Sequence, residues 1–476
     1  MNCSRMNQLH RFRSRILPMV GGGFVLLLVV VTLVIVTQLS EIREYLSQAN
    51  GEPANLVVDT TAVLGNTPRP WRYLAQGGES HNWRLQSLIP PVKALQPQYI
   101  RIDHIYDFYD VVGGTPGNLT FNFSKLDGLL DDIKATGAKP YIVLSYMPPA
   151  ISSGDIVAPP KRWEDWQLTV QKTVEHISGS RKTSEVYYEV WNEPDLFGGW
   201  KYSGERNYLT MYRYAVQGAE NARGVLPFKI GGPATTGLYK NWFNALAQFT
   251  IDNNLRFDFF SWHRYNTKID EYRTDMIDVR TWLREFPQLE PTLELHITEW
   301  GHDSDLNAGY DGAYSAAHTV AVAIEMMGVV EKAFVFEIQD GKSPEGKAAW
   351  GRWGLFQHQD FGQPAKSRYY GLRMLDRIGD QRIQLLGKGS WVKAVAALSP
   401  EGNLQVVIAN FDPQGRHSET VPITFIHLEP GVYRVNQEFL GGRKLTQEIT
   451  IESDTLKTDV ALSVNTVAFI EVVRKE

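Results

Sequence analysis

A single cysteine, Cys3, is all the thiol chemistry in this chain of 476 residues, so neither an internal disulfide nor a thiolate metal cluster is possible. The 11 histidines are scattered, with no H-E-x-x-H or other close ligand spacing, so no structural metal is expected. No cofactor is expected either. Basic excess is also missing. Lys and Arg number 48 against 53 Asp and Glu, and the net charge of -5, with no basic patch interleaved with aromatics, excludes nucleic acid as an expected partner. No G-x-G-x-x-G follows the first strand-like run, which removes the dinucleotide fingerprint. Nothing in the sequence points to a protein partner.

Long hydrophobic runs are absent but for one. Residues 1–15 carry Arg5, Arg11, Arg13 and Arg15 and no acid, and the apolar run of 16–37 follows. A hydrocarbon core needs roughly 20 residues, whereas a signal peptide has an apolar region of only ~7 to 15, so a transmembrane helix is expected at 16–37. Arginines before it and Glu41 and Glu44 after it place the N-terminus in the cytoplasm and the remaining chain outside. Residues 38–54 read as a stalk.

What is present beyond the stalk is ordinary globular composition, 43% hydrophobic and 21% charged, and a repeated alternation. Apolar strand-like runs occur at 55–61, 98–103, 140–146, 185–192, 228–232, 257–262, 293–299 and 333–338. Helix-like stretches lie between them at 123–136, 161–178, 205–223, 239–251, 269–285 and 312–328. In the first of these, Leu126, Leu129, Leu130 and Ile133 have helical spacing, and Gly137 follows as a C-cap. Eight strands alternating with helices predict an α/β fold, a (β/α)8 TIM barrel over 55–380, in preference to a doubly wound sheet. Residues 381–476 hold short β-type runs separated by turn signals and predict a C-terminal β-sandwich domain.

The stretch EVYYEVWNEPD at 185–195 ends a strand in an acid. Pro194 cannot donate to a ladder, so the strand stops there and Glu193 stands at its carboxyl end, where α/β barrels keep their chemistry. Taken alone, Glu193 serves equally well as a helix cap or an ion-pair partner. With eight strands counted, however, Glu193 ends the fourth and Glu299, in LHITEWG, the seventh. Two carboxylates at one barrel mouth are the equipment for splitting a glycosidic bond. One gives a proton to the leaving oxygen, and the other attacks or activates water.

NEP at the fourth strand end, TEW at the seventh, His263 and Tyr265 after the sixth and RID after the second resemble glycoside hydrolase family 39. That family includes β-xylosidases, α-L-iduronidases and bacterial endoglycosidases acting on exopolysaccharides. The resemblance implies Glu193 as acid/base, Glu299 as nucleophile, Asn192 on the sugar 2-hydroxyl, and Tyr265 and Arg101 beside the nucleophile, favouring its ionised form. Retention requires carboxyls ~5 to 5.5 Å apart, against ~6.5 to 9.5 Å for inversion.

Other residues have weaker claims. His263 and His104 are expected to line the site, and Tyr146, Trp300 and Trp353, with Trp262 and Trp350, to stack on sugar, although core packing is the commoner fate of such rings. Glu189 reads as a core acid paired with an arginine, and Glu337 as that or a polar wall of the cleft. Asn118 and Asn122 head glycosylation sequons that matter only in a secretory host. The expectation is a membrane-anchored retaining glycoside hydrolase, endo-acting on an extracytoplasmic polysaccharide. The alternatives are a non-catalytic carbohydrate-binding or assembly protein and a transglycosidase with the same acid pair.

Overall fold

The computed structural model describes residues 51–78 and 80–475. The membrane-spanning helix expected at 16–37 lies outside them, and no helix among the described residues is long and apolar enough to cross a membrane.

Eight parallel strands close into a barrel. In chain order they are β2 (Tyr73–Gln76), β3 (Tyr99–Ile102), β6 (Lys139–Leu144), β7 (Val186–Val190), β8 (Phe228–Thr235), β9 (Phe259–Tyr265), β10 (Glu294–Gly301) and β11 (Lys332–Phe336). They read as apolar runs because both faces are covered: β3, β7 and most of β6 are buried throughout. Helices α2 (Ser124–Thr136), α3 (Trp163–Val174), α4 (Tyr208–Asn221), α5 (Lys240–Asp252), α6 (Glu271–Leu283), α7 (Ala313–Met326) and α8 (Ser367–Asp376) fall between or after the strands, the first six on the helix-like stretches of the sequence. A short helix α1 (Ile89–Lys93) and a hairpin of β4 (Val112–Thr115) and β5 (Asn118–Phe121) complete this part. The barrel floor is plugged by aromatic rings: Tyr99, Tyr141, Tyr187, Phe259 and Phe334 form one buried cluster, and His296 stacks on Phe259 at 4.9 Å.

One strand is not where the alternation put it. The run at 55–61 forms β1 (Leu56–Asn66), which pairs antiparallel with β12 (Gln381–Leu386) and parallel with β15 (Glu419–Ile426), outside the barrel. Its burial alternates from Leu56 to Asp59 and then gives way to exposure, the pattern of a strand covered on one face only. The first barrel strand is instead β2, of four residues, directly behind Pro68 and Pro70.

The C-terminal region adds β13 (Val392–Leu398), β14 (Leu404–Asn410), β16 (Gly431–Phe439), β17 (Lys444–Ile451), β18 (Leu456–Leu462) and β19 (Thr466–Arg474). With β1, β12 and β15 these make one hydrogen-bonded sheet in the order β17-β16-β19-β14-β13-β12-β1-β15-β18. Two separate sheets, the strict sense of a sandwich, are therefore not formed. The sheet folds over so that its ends meet, with Gln437 Nε2 on β16 donating to Asp459 O on β18 at 3.0 Å. Helix α7 packs against β13, β14 and β19 and joins the barrel to this sheet.

Candidate active site

Strand β7 leaves the barrel through Trp191, Asn192 and Glu193, and the backbone there is left-handed at Trp191 (φ 73°) and Glu193 (φ 46°). Non-glycine residues hold this conformation at a cost of roughly 1–2 kcal/mol each. It is held here by the burial of the Trp191 indole and by Glu193 N donating to Ala234 O at 2.9 Å. Strand β10 contributes Glu299 by a different device. Ile297 pairs with Trp262 of β9, but Glu299 pairs with the next residue, His263, so Thr298 is an extra residue, a β-bulge. Without the bulge, alternation from the inward His296 would turn Glu299 outward and Trp300 inward. With it, Glu299 faces the cavity and Trp300 is wholly buried among the outer core residues.

The two carboxylates meet around His263. His263 Nδ1 is 2.8 Å from Glu193 Oε1 and 3.4 Å from Glu299 Oε2, and an oxygen of Glu193 lies within 4.8 Å of an oxygen of Glu299. Both Glu299 oxygens accept hydrogen bonds: Oε1 from Arg101 Nη1 at 2.8 Å and Oε2 from the Tyr265 hydroxyl at 2.8 Å. Arg101 is itself completely buried. Its Nε donates to Glu189 at 2.7 Å and its Nη2 to Asn192 Oδ1 at 2.7 Å, so one guanidinium fixes three side chains. Asn192 Nδ2 donates to the Tyr146 hydroxyl at 3.0 Å.

The electrostatics follow from burial and charge. Burial pushes the Glu299 carboxyl above its ordinary value; Glu193 and Asp103 add to this, while His263 and Arg101 pull against it. Burial opposes charge on His263, but Glu299 and Glu193 outweigh it and raise its pKa. For Tyr265, burial and then the Glu299 charge push the hydroxyl well up, so it remains a donor. Glu193, His263 and Glu299 have the ligand types and spacing that could hold a metal ion. They fit one poorly, because both Glu299 oxygens are engaged and the Arg101 guanidinium already supplies the positive charge.

These groups stand in a cavity of about 590 Å³. Of the residues singled out in the sequence, Asn192, Glu193, Glu299, His263, Tyr265, His104, Tyr146 and Trp353 line it, and Arg101 supports it from below. Trp300 does not: its ring is enclosed by Tyr272 and His318, which corrects its expected role on substrate. Trp262 is equally buried, its indole donating to Asp275 at 2.9 Å. Trp350 stacks on Arg352 away from the lining. Glu189 is the buried partner of Arg101, as read, whereas Glu337 bonds Gln76 Nε2 at 2.9 Å and Gly77 N at 3.2 Å.

The sequence profile described as glycosyl hydrolases family 39 matches residues 76–388, well over half of the chain. The chain belongs to glycosyl hydrolase family 39. Among similar proteins, a β-xylosidase of Geobacillus stearothermophilus is 29% identical over 235 residues, which is 43% of this chain and 46% of that protein. A β-xylosidase of Caldicellulosiruptor saccharolyticus is 26% identical over 300 residues, 56% of this chain and 59% of its own length. The chain thus spans about half the length of these relatives. Among solved structures, the GH39 enzyme of Xanthomonas axonopodis pv. citri has a TM-score of 0.74 at 18% identity, covering 89% of this chain and 98% of that one. A monomeric β-xylosidase of Caulobacter crescentus CB15 has a TM-score of 0.73 at 20% identity, covering 89% and 100%. At these identities the likeness is one of fold.

Residues that sequence reading passed over also line the cavity: Gly77, Gly78, Asp103, Thr236, Asp305 and Arg352. One had a usable signal. Asp103 is the D of the RID motif and is buried at the cavity. The glycine pair shows its reason only in space: a Cβ on Gly78 would stand 1.8 Å from His104 Cδ2, so the loop after β2 presses directly on that ring.

Proposed function

We propose that this family 39 chain is a retaining glycoside hydrolase of the β-xylosidase type, with Glu193 as acid/base and Glu299 as nucleophile. The observation that carries the reading is the spacing of the two acids. One oxygen of each acid lies within 4.8 Å of one of the other, which supports the close pairing of ~5 to 5.5 Å used in double displacement over the ~6.5 to 9.5 Å with which inversion admits a water.

The steps follow from the contacts. A Glu299 oxygen attacks the anomeric carbon as the bond to the leaving oxygen breaks, and Glu193 transfers its proton to that oxygen. Water then attacks the same carbon, Glu193 takes a water proton, and the bond to Glu299 breaks. Arg101 and Tyr265 donate to the Glu299 anion that is present before the first step and released by the second. Asn192 is held by Arg101 and Tyr146 with one amide proton left to reach a sugar 2-hydroxyl.

The β-xyloside part of the reading rests on the two curated relatives, both β-xylosidases. Endo action on an envelope polysaccharide, expected from the anchor, has no support in the cavity, and cleavage of terminal β-xylosyl groups is the reading preferred. For location, the apolar run at 16–37 supports attachment to the cytoplasmic membrane with the barrel outside. Release of the full chain by washing without detergent would refute that attachment.

The test is hydrolysis of p-nitrophenyl β-D-xylopyranoside and xylobiose, with retention read by NMR of the first-formed product. Glu193→Gln lowers kcat/KM on xylobiose by about 10²- to 10⁴-fold. On p-nitrophenyl β-D-xylopyranoside, whose leaving group needs little protonation, added azide restores turnover as the β-azide, because an anion needs no general base. Glu299→Gln loses more than about 10⁴-fold on every substrate, and azide does not restore the β-azide. Wild-type activity in either variant would remove that residue from its role.

A further inference from the structure

The side chains that follow the proton donor have no task in the two steps above. The chain turns directly after Glu193, with Leu196 N and Phe197 N donating to Glu193 O at 3.0 and 2.7 Å. The turn brings Leu196 and Phe197 to the cavity wall next to Glu193, where they remain 60% and 41% exposed. Thr236, from the loop after β8, lines the same wall. Its hydroxyl is 3.0 Å from that of Tyr239, a ring that is also 41% exposed.

The two loops are tied together: Thr236 N donates to Asp195 Oδ1 at 3.1 Å, and the Thr236 hydroxyl bonds the same carboxylate. Phe197 is steadied on its inner side by Tyr146, ring centroids 5.8 Å apart at 70°. Single exposed apolar residues need no explanation. Two of them at the cavity wall beside the group that must protonate the leaving oxygen, with a third on the loop joined to theirs through Thr236, do.

Reaction geometry supplies one. A carboxyl that hands its proton to the glycosidic oxygen stands on the leaving-group side of the scissile bond, while the glycone faces the nucleophile. We propose that Leu196, Phe197 and Tyr239 form the leaving-group subsite and select substrates whose departing part presents a flat apolar ring face. That face is either the C–H face of a pyranose or an aryl ring. The proposal rests on the acid/base reading of Glu193. The recognition is by stacking and apolar contact, worth a modest factor per ring and indifferent to ring substituents.

The test compares binding of phenyl and methyl 1-thio-β-D-xylopyranoside, S-linked ligands that are not turned over, by titration calorimetry. Wild type prefers the phenyl ligand by about 2- to 12-fold, the range a single ring contact supplies. Phe197→Ala brings the ratio to about 1, and Phe197→Trp, which keeps a ring face, preserves it. Absence of a phenyl preference in wild type, or its survival in Phe197→Ala, overturns the proposal. This measurement needs no turnover, so it answers even if the hydrolase reading fails.

Kinetics then separate a lost platform from a displaced Glu193. β-D-Xylosyl fluoride carries no ring on its leaving side, and 2,4-dinitrophenyl β-D-xylopyranoside carries one but leaves without a proton. Phe197→Ala lowers the kcat/KM ratio of the dinitrophenyl substrate over the fluoride. If xylobiose falls with it, the subsite takes a sugar ring; if the dinitrophenyl substrate falls alone, it takes an aryl group. An unchanged ratio, or a fall confined to xylobiose, overturns the proposal.

Discussion

At Glu299 one carboxylate receives a donor on each oxygen while burial works against its charge, so the anion depends on those donors. Arg101 cannot be altered without loosening Glu189 and Asn192 as well. Tyr265 is the cleaner probe, its hydroxyl bonding Glu299 Oε2 at 2.8 Å. A hydrogen bond to a charged group contributes about 1.5–3 kcal/mol, and 1.36 kcal/mol corresponds to one pKa unit. In wild type the acid limb of the kcat/KM profile lies above the ordinary carboxylate value, because burial raises Glu299. Tyr265→Phe removes a donor that favours the ionised form, so the limb moves further up, by about one unit or more, and kcat falls. A pH–rate profile of both enzymes decides it, and a limb that stays or moves down would remove Tyr265 from the support of the anion. The residue scale is also where legibility divides. Glu193 and Glu299 could be read because each closes a strand-like run; Trp300 was misplaced because one bulge at Thr298 decides which of two neighbours faces inward, and nothing in LHITEWG announces it. Arg352 and Asp305 lie in loops whose course the sequence leaves open.

The elements were legible in proportion to their length and local pattern. Seven of the eight barrel strands and the helices between them carry their own periodicity. Strand β2 carries too little, four residues with no alternation to count. Strand β1 has an apolar run, but its partners β12 and β15 lie more than 300 residues along the chain, and pairing over such distances is not encoded locally. The consequence is testable. Strand β1 sits between β12 and β15 in the sheet, so removing it leaves both with an unpaired edge inside the domain. Val58 is fully buried on that strand, while Val63 is 48% exposed. Val58→Asp buries a charge without a partner, a change that costs several kcal/mol, and Val63→Asp stays within about 0.5 kcal/mol. Thermal unfolding of the two variants should therefore separate by many degrees, and equal midpoints would mean that β1 is not an integral strand of the C-terminal sheet.

On the scale of the whole molecule, the barrel and the C-terminal sheet are joined where α7 meets β14, and two histidines are buried at that junction. His318 lies 5.2 Å from the Phe411 ring and 5.6 Å from His302, which stacks on Tyr310 at 3.8 Å. Burial, then His302 and Arg368, hold His318 well below the ordinary value; burial and then Arg368 bring His302 down to about 4. At the barrel floor, burial takes His296 down to about 3, with Lys332 and Lys229 helping and Glu294 opposing. Each folded pKa is lower than the unfolded one, so between the two the unfolded chain binds the extra proton, and stability falls as pH drops below about 6.5. The slope is at most about 1.4 kcal/mol per pH unit for each such group. Asp340 acts in the opposite sense, because burial raises it to about 6 and the folded chain holds its proton from there downward. The net curve mixes both signs, but a single substitution isolates one of them. His318 Nε2 lies 2.8 Å from Asn266 O, a donor position that a glutamine amide can fill. In His318→Gln the loss of unfolding free energy between pH 6.5 and 5 is smaller than in wild type, by up to about 1.4 kcal/mol per pH unit. Denaturant titrations at a series of pH values measure the difference directly. Parallel curves would mean that His318 is protonated in the folded chain as readily as in the unfolded one, and that the junction is not where acid acts.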